Sequence, residues 1–247
     1  MQQPITIEIC VGDVESAIAA EAGGADRVEL CDNLAVGGTT PSAGTIAEAV
    51  RWLSIPVHVL IRPRAGDFVH GERELAVIRR DIEAARALGV AGVVLGLLDD
   101  RRRIASSQMA ALIELARPLS VTFHRAIDAA LDPLDALDRL IELGVDRVLS
   151  SAGRPSAIEG ASMLRSMVDR AAGRIAIMAG GRVSAANVDN LIRTTGVREI
   201  HVGSAAARVA GCSDPVDQAF PPWHRTDARL VQAVVEAVRS RSGGSPG

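Results

Sequence analysis

Lysine and tyrosine are absent from the 247-residue chain, all 27 basic residues are arginine, and aromatics are scarce, with three Phe and two Trp. Without lysine there is no Schiff-base aldolase or pyridoxal-phosphate chemistry and no phosphate-loop lysine; without tyrosine there is no phenolic general acid. A dominant charge is lacking as well. The 27 basic and 30 acidic residues leave a formal charge of −3, which with so few stacking aromatics argues against nucleic acid as a partner. No apolar run approaches the ~18 residues needed to cross a bilayer, so no membrane partner is expected. Three scattered cysteines are too few, and odd in number, for a disulfide framework. Met1 to Pro4 run straight into Ile5-Thr6-Ile7-Glu8-Ile9-Cys10, with neither the charged nor the apolar region of a signal peptide. The expectation is a cytoplasmic protein.

What is present is a chain that is 48% hydrophobic and 23% charged, enough for one globular domain over residues 1–247. Its hydrophobic period switches repeatedly between short strand-like runs and longer helical stretches, the pattern of successive βα units. The strands read as Ile5–Cys10, Arg27–Cys31, Val57–Arg62, Gly92–Leu97, Ser120–His124, Arg147–Ser150, Ile175–Ala179 and Glu199–Val202. Eight such units predict an α/β fold, the closed parallel eight-stranded (β/α)8 TIM barrel. A doubly wound open sheet is the competitor, but no dinucleotide fingerprint announces it, and no nucleotide cofactor is evident. Helix starts are marked by Gly12-Asp13 before Val14–Ala22, Pro41-Ser42 before Ala43–Leu53, Asp132-Pro133 before Leu134–Leu143 and Ser184 before Ala185–Thr194. The phrase Gly24-Ala-Asp-Arg-Val-Glu-Leu30 partly returns as Gly144-Val-Asp-Arg-Val-Leu-Ser150, and reads as recurring αβ-turn chemistry. Residues 205–224, with Cys212 and Pro221-Pro222-Trp223, read as a long connection before a last helix near Asp227–Arg241, and 242–247 as a frayed tail.

Strand residues alternate faces, and the face against the helices must be apolar. Ile5, Ile7 and Ile9 then point outward and Glu8 and Cys10 inward; the same parity turns Glu29, Cys31, His58, Arg62, Thr122, His124, Glu199 and His201 inward, with Arg64 following just past the third strand. An interior of this kind is normally filled by Val, Ile and Leu, so these charges require either a self-satisfied network or a ligand. Glu8, Glu29, His58 and Glu199 lie deep enough to be structural, pairing with Arg62 or one another. The C-terminal strand ends, where such barrels place their ligands, carry three constellations. Gly180-Gly181 and Gly203-Ser204 follow the seventh and eighth strands, the usual source of a backbone phosphate cradle; glycine in αβ turns is the plainer alternative. Arg62-Pro63-Arg64 and His124-Arg125 with Asp128 suit anion binding and proton transfer; Asp128 as a simple cap is the alternative. Cys10 and Cys31 end adjacent strands, close enough to share one soft ion such as Cu(I), with Met178 on the same parity; thiols acting as apolar filler are the alternative.

These strings resemble a known family, the copper-homeostasis family CutC. The resemblance rests on Glu8-Ile9-Cys10, Gly24 through Cys31, Gly37-Gly38-Thr39-Thr40-Pro41-Ser42, Ile61-Arg62-Pro63-Arg64 with Gly66-Asp67-Phe68, Thr122-Phe123-His124-Arg125-Ala126 with Asp128, and Met178-Ala179-Gly180. It implies a (β/α)8 barrel, a cytoplasmic role in copper handling, a copper ion as Cu(I) at Cys10 and Cys31, and a homo-oligomer, dimer or tetramer. Where some relatives carry a second Cys after the first strand and a Cys-Tyr after Gly-Asp-Phe, this chain has Val11 and Val69-His70. The residues alone support a second class of function: a TIM-barrel isomerase, lyase or hydrolase acting on a small anionic or phosphorylated metabolite. Arg62, Arg64, Arg125 and the Gly180, Gly181, Gly203 and Ser204 loops would clamp the anion, and Glu29, His124, Asp128 and His201 would serve catalysis.

Overall fold

The computed structural model describes residues 4–210 and 223–240. Eight parallel strands close in chain order into a barrel: β1 (Thr6–Val11), β2 (Arg27–Leu30), β3 (Val57–Leu60), β4 (Gly92–Leu95), β5 (Ser120–Phe123), β6 (Arg147–Ser150), β7 (Ala176–Gly180) and β8 (Glu199–Val202). Each is followed by a helix of the outer ring: α1 (Val14–Ala22), α2 (Ala43–Trp52), α3 (Glu72–Ala87), α4 (Ser106–Ala116), α5 (Pro133–Glu142), α6 (Ala161–Ala171), α7 (Val188–Thr195) and α8 (Ala228–Arg239). The protein is thus the expected (β/α)8 TIM barrel. No helix among the described residues is long and apolar enough to cross a membrane.

The helix starts follow from their caps. Asp13 accepts from Ser16 N, Ser42 from Thr45 N, and Asp132 from Leu134 N and Asp135 N with Pro133 in the first turn. Several element ends shift by one or two residues from the sequence reading, and two differences are larger. Asn187 Oδ1 accepts the Ser184 N–H, which closes a turn over 184–187 and delays α7 to Val188 rather than Ala185. The stretch read as a long connection contains a hairpin, β9 (Ala207–Ala210) paired antiparallel with β10 (Trp223–Thr226), docked on α1 through Thr226 N to Ser16 Oγ. Cys212, Pro221-Pro222 and the tail 242–247 lie outside the described residues.

Ile7, Ile9, Val28, Val59, Val121, Phe123, Val148, Ile200 and Val202 are buried, in the core between barrel and helices. The opposite parity carries charge. Arg27 Nε donates to Glu8 Oε2 at 2.6 Å and Arg27 Nη2 to Glu199 Oε2 at 2.6 Å, while Arg147 Nε reaches the same Glu199 oxygen. The structural pairing expected for Glu8 and Glu199 therefore exists, but its cations are Arg27 and Arg147, not Arg62. The recurring Asp-Arg-Val phrase explains why. In each copy the Asp accepts an N–H of the preceding parallel strand, Asp26 from Ile7 N and Asp146 from Val121 N; the Arg that follows enters the barrel, and the two meet on Glu199.

A carboxylate without water contact is tolerated only when its charge is matched. Replacing Arg27 by Met leaves Glu8 and Glu199 short of their shared cation, and is expected to destabilise the fold by about 3–5 kcal/mol. Urea unfolding followed by circular dichroism measures this; an unchanged midpoint would remove the network from the account of stability.

Candidate functional site

At the C-terminal strand ends lies a cavity of about 750 Å³. All the site residues singled out in the sequence line it except Arg64, Gly180 and Gly181. Arg64 turns away and is spent on Glu74, Asp67 Oδ1 and the Val69 carbonyl, an anchor for the loop before α3. Gly180 and Gly181 serve packing: a Cβ on Gly180 would come 2.5 Å from Leu149 Cδ1, and Gly181, at φ +106, lies against Ser151. They contribute no wall to the cavity, whereas Gly203 and Ser204 do.

The sulfur end is set by register. Cys10 pairs with Glu29 across β1 and β2, and Glu8 with His201 across β1 and β8. Cys10 Sγ and Cys31 Sγ lie 3.7 Å apart, and Cys31 Sγ is 3.5 Å from Glu29 Oε2. His201 donates from Nδ1 to Glu8 Oε1 at 2.8 Å, and its Nε2 is 3.8 Å from Glu29 Oε2. Burial alone would raise the Glu8 carboxyl, but the His201 hydrogen bond and the charge of Arg27 hold it well below the usual range. Burial would likewise discharge His201; hydrogen bonds to Cys10 and Glu8 keep it protonated, well above the usual imidazole value. The Cys31 hydrogen bond, with help from His201, then draws Cys10 down to about 5 despite its burial. Glu29 is pushed well up by burial and by the Cys10 charge, and Cys31 well up by its bond to Cys10. The contacts thus favour the thiolate at Cys10 and the imidazolium at His201, and the protonated forms of Cys31 and Glu29. Met178, expected on this side, is instead engaged deeper by Arg27 Nη2, 3.3 Å from its sulfur.

The opposite end is cationic. Arg62 donates to the carbonyls of Val36, Gly38 and Gly66, lies 5.3 Å above the Phe68 ring, and leaves its buried Nε without a partner. Its role is therefore partly architectural, bracing two loops at once. Asp128 accepts from Ser150 Oγ, from the N–H groups of Ser151 and Gly153, and from Arg125 Nε. It anchors the loop after β6 and fixes Arg125, whose Nη2 also reaches Ser151 Oγ. His124 accepts from Ala126 N at Nδ1, and its ring lies tilted against Phe68 with centroids 5.0 Å apart. Burial and the charge of Arg62 bring its pKa down to about 3, and burial brings His58 to about 4.

Three contributors escaped the sequence reading. Gly92 and Gly96 make room for imidazoles: a Cβ at Gly92 would meet His58 Nε2 at 2.7 Å, and one at Gly96 would meet His124 Nδ1 at 2.6 Å. No pattern in the sequence marks a glycine as a vacancy for a side chain on the neighbouring strand. His224, on β10, lines the cavity from the hairpin, which was not anticipated.

The sequence pattern that defines the CutC family matches residues 5–206. The chain belongs to the CutC family. It is 46% identical over 237 residues, 95% of this chain and 99% of the other, to a CutC family protein of Xanthomonas campestris pv. campestris strain 8004. It is 43% identical over 205 residues to a mouse protein named as a copper homeostasis protein cutC homolog, covering 83% of this chain and 75% of that one. The crystal structure of a CutC described as a copper homeostasis protein, from Streptococcus agalactiae, superposes with a TM-score of 0.76 at 39% identity, covering 81% of this chain and 98% of that one. The sulfur and arginine ends of the cavity are thus built on a CutC barrel.

Histidine titration followed by nitrogen-15 NMR tests the charge assignment. His124 and His58 are expected to stay neutral down to about pH 4, with His124 protonated at Nε2 only, whereas His201 remains an imidazolium at pH 7. A His201 ring that titrates near 6.5 would break the chain of charges linking Glu8 to Cys10.

Proposed function

We propose that this CutC protein handles copper as its cargo, taking Cu(I) between Cys10 Sγ and Cys31 Sγ, and that it works in the cytoplasm, where both cysteines stay reduced. The observation that carries the reading is the sulfur pair itself, two free thiols 3.7 Å apart with a Glu29 oxygen close enough that all three donor atoms fall within 4.8 Å of one another. Soft thiolates select Cu(I) over hard divalent ions. With metal–sulfur bonds of about 2.3 Å, sulfurs at this spacing subtend a bent angle, which leaves room for a third donor, and Glu29 or His201 stands nearest. The names of the mouse and streptococcal relatives, both copper homeostasis proteins, support the same cargo.

Because ligands bind metal deprotonated, loading expels the protons held on Cys31 and Glu29. Both groups are held well above their ordinary values, so apparent Cu(I) affinity is expected to rise steadily with pH across the neutral range. Competition with a colorimetric Cu(I) chelator measures it. The Cys10→Ser/Cys31→Ser double variant is expected to lose the tight site; equal affinity in the two proteins would remove the cysteines as the copper site.

A further inference from the structure

We propose that the cationic end of the cavity is a second binding site, for a small organic molecule with a carboxylate or phosphate at one end and an apolar body at the other. This inference stands on the cavity and does not depend on the copper reading.

Size argues first. A cavity of about 750 Å³ far exceeds what one ion occupies and falls in the range of pockets that enclose organic ligands, about 300–1,000 Å³. Charge argues second. Arg62 is only 6% exposed, its Nε has no partner, and no carboxylate among the described residues pairs with it. Carbonyl dipoles solvate a guanidinium but do not cancel its charge. An oxyanion is attracted to such a wall.

Donor geometry argues third. Arg125 is held at Nε by Asp128 and at Nη2 by Ser151, so its guanidinium is oriented before any ligand arrives and Nη1 has no protein acceptor among the described residues. His124 receives the Ala126 N–H at Nδ1, which places its own proton on Nε2 as a third donor. Beside these groups the wall is apolar, formed by Leu34, Val36, Leu60, Phe68 and Leu149. Inorganic phosphate would use the donors and leave this surface uncovered; an amphiphilic organic anion uses both. The site lies on the loops after β3 and β5, away from Gly180 and Gly181 after β7.

The test is isothermal titration calorimetry of the full-length protein with phenyl phosphate, phenylacetate, benzyl alcohol and inorganic phosphate. At least one of the two organic anions is expected to bind, and comparing them tells a phosphate from a carboxylate head group. Benzyl alcohol and inorganic phosphate are expected to bind at least about tenfold more weakly. Arg125→Gln should weaken the organic anion by about tenfold or more, and added salt should weaken it further. Arg62→Met is a poorer probe because three loop carbonyls lose their donor with it. The Cys10→Ser/Cys31→Ser variant should bind the anion as wild type does, which separates this site from the sulfur pair. The proposal is overturned if neither organic anion binds, if benzyl alcohol or inorganic phosphate binds equally well, if Arg125→Gln is without effect, or if the cysteine variant loses the anion.

Discussion

One carboxylate, that of Glu8, has no contact with water, and much of the structure can be understood as the answer to its charge. It sits on the strand that joins β2 on one side and β8 on the other, and it is matched from both: Arg27 from β2 and His201 from β8. The same contacts that lock the seam of the barrel also decide protonation. A charged Glu8 keeps His201 charged, and His201 in turn helps to hold Cys10 as a thiolate. Fold and reactive sulfur are therefore coupled through a single buried anion.

The arrangement also divides labour among arginines. In a chain without lysine, guanidinium groups carry the cationic tasks that His201 does not, and they do so by geometry. Arg27 and Arg147 converge as forks on Glu199. Arg62 spreads over three carbonyls to brace loops, and Arg125 is pinned by Asp128 and Ser151 with one edge left over. Planar, multidentate donors suit such sharing better than a point charge on a flexible stem.

The barrel was legible because period and punctuation agreed along the chain, and parity on β1, β2, β3 and β8 placed Glu8, Cys10, Glu29, His58 and His201 on the inner face correctly. Parity also held the missing answer. Arg27 shares the face of Glu29, and Arg147 faces opposite to Val148, yet both stand at strand starts inside a phrase whose repetition suggested turn chemistry alone. What could not be read was contact between distant positions. Arg62 bridging the loops of Gly38 and Gly66, Gly96 yielding its space to His124, and Leu149 filling the volume above Gly180 depend on how elements pack, and a linear pattern encodes none of these. The β9–β10 hairpin escaped for a related reason: its strands are separated by a long interval, and only β10 is tied to α1.

Beneath the sulfur pair, Arg27, Glu8, Glu199 and Met178 fill the barrel from wall to wall with matched charges and one thioether. This plug turns the cylinder into a blind sac rather than a conduit. On the proposed copper reading, Cu(I) that reaches the sulfur pair past Arg62 and Arg125 leaves by the same doorway. A copper donor and a copper acceptor would, on that reading, use the same rim in turn.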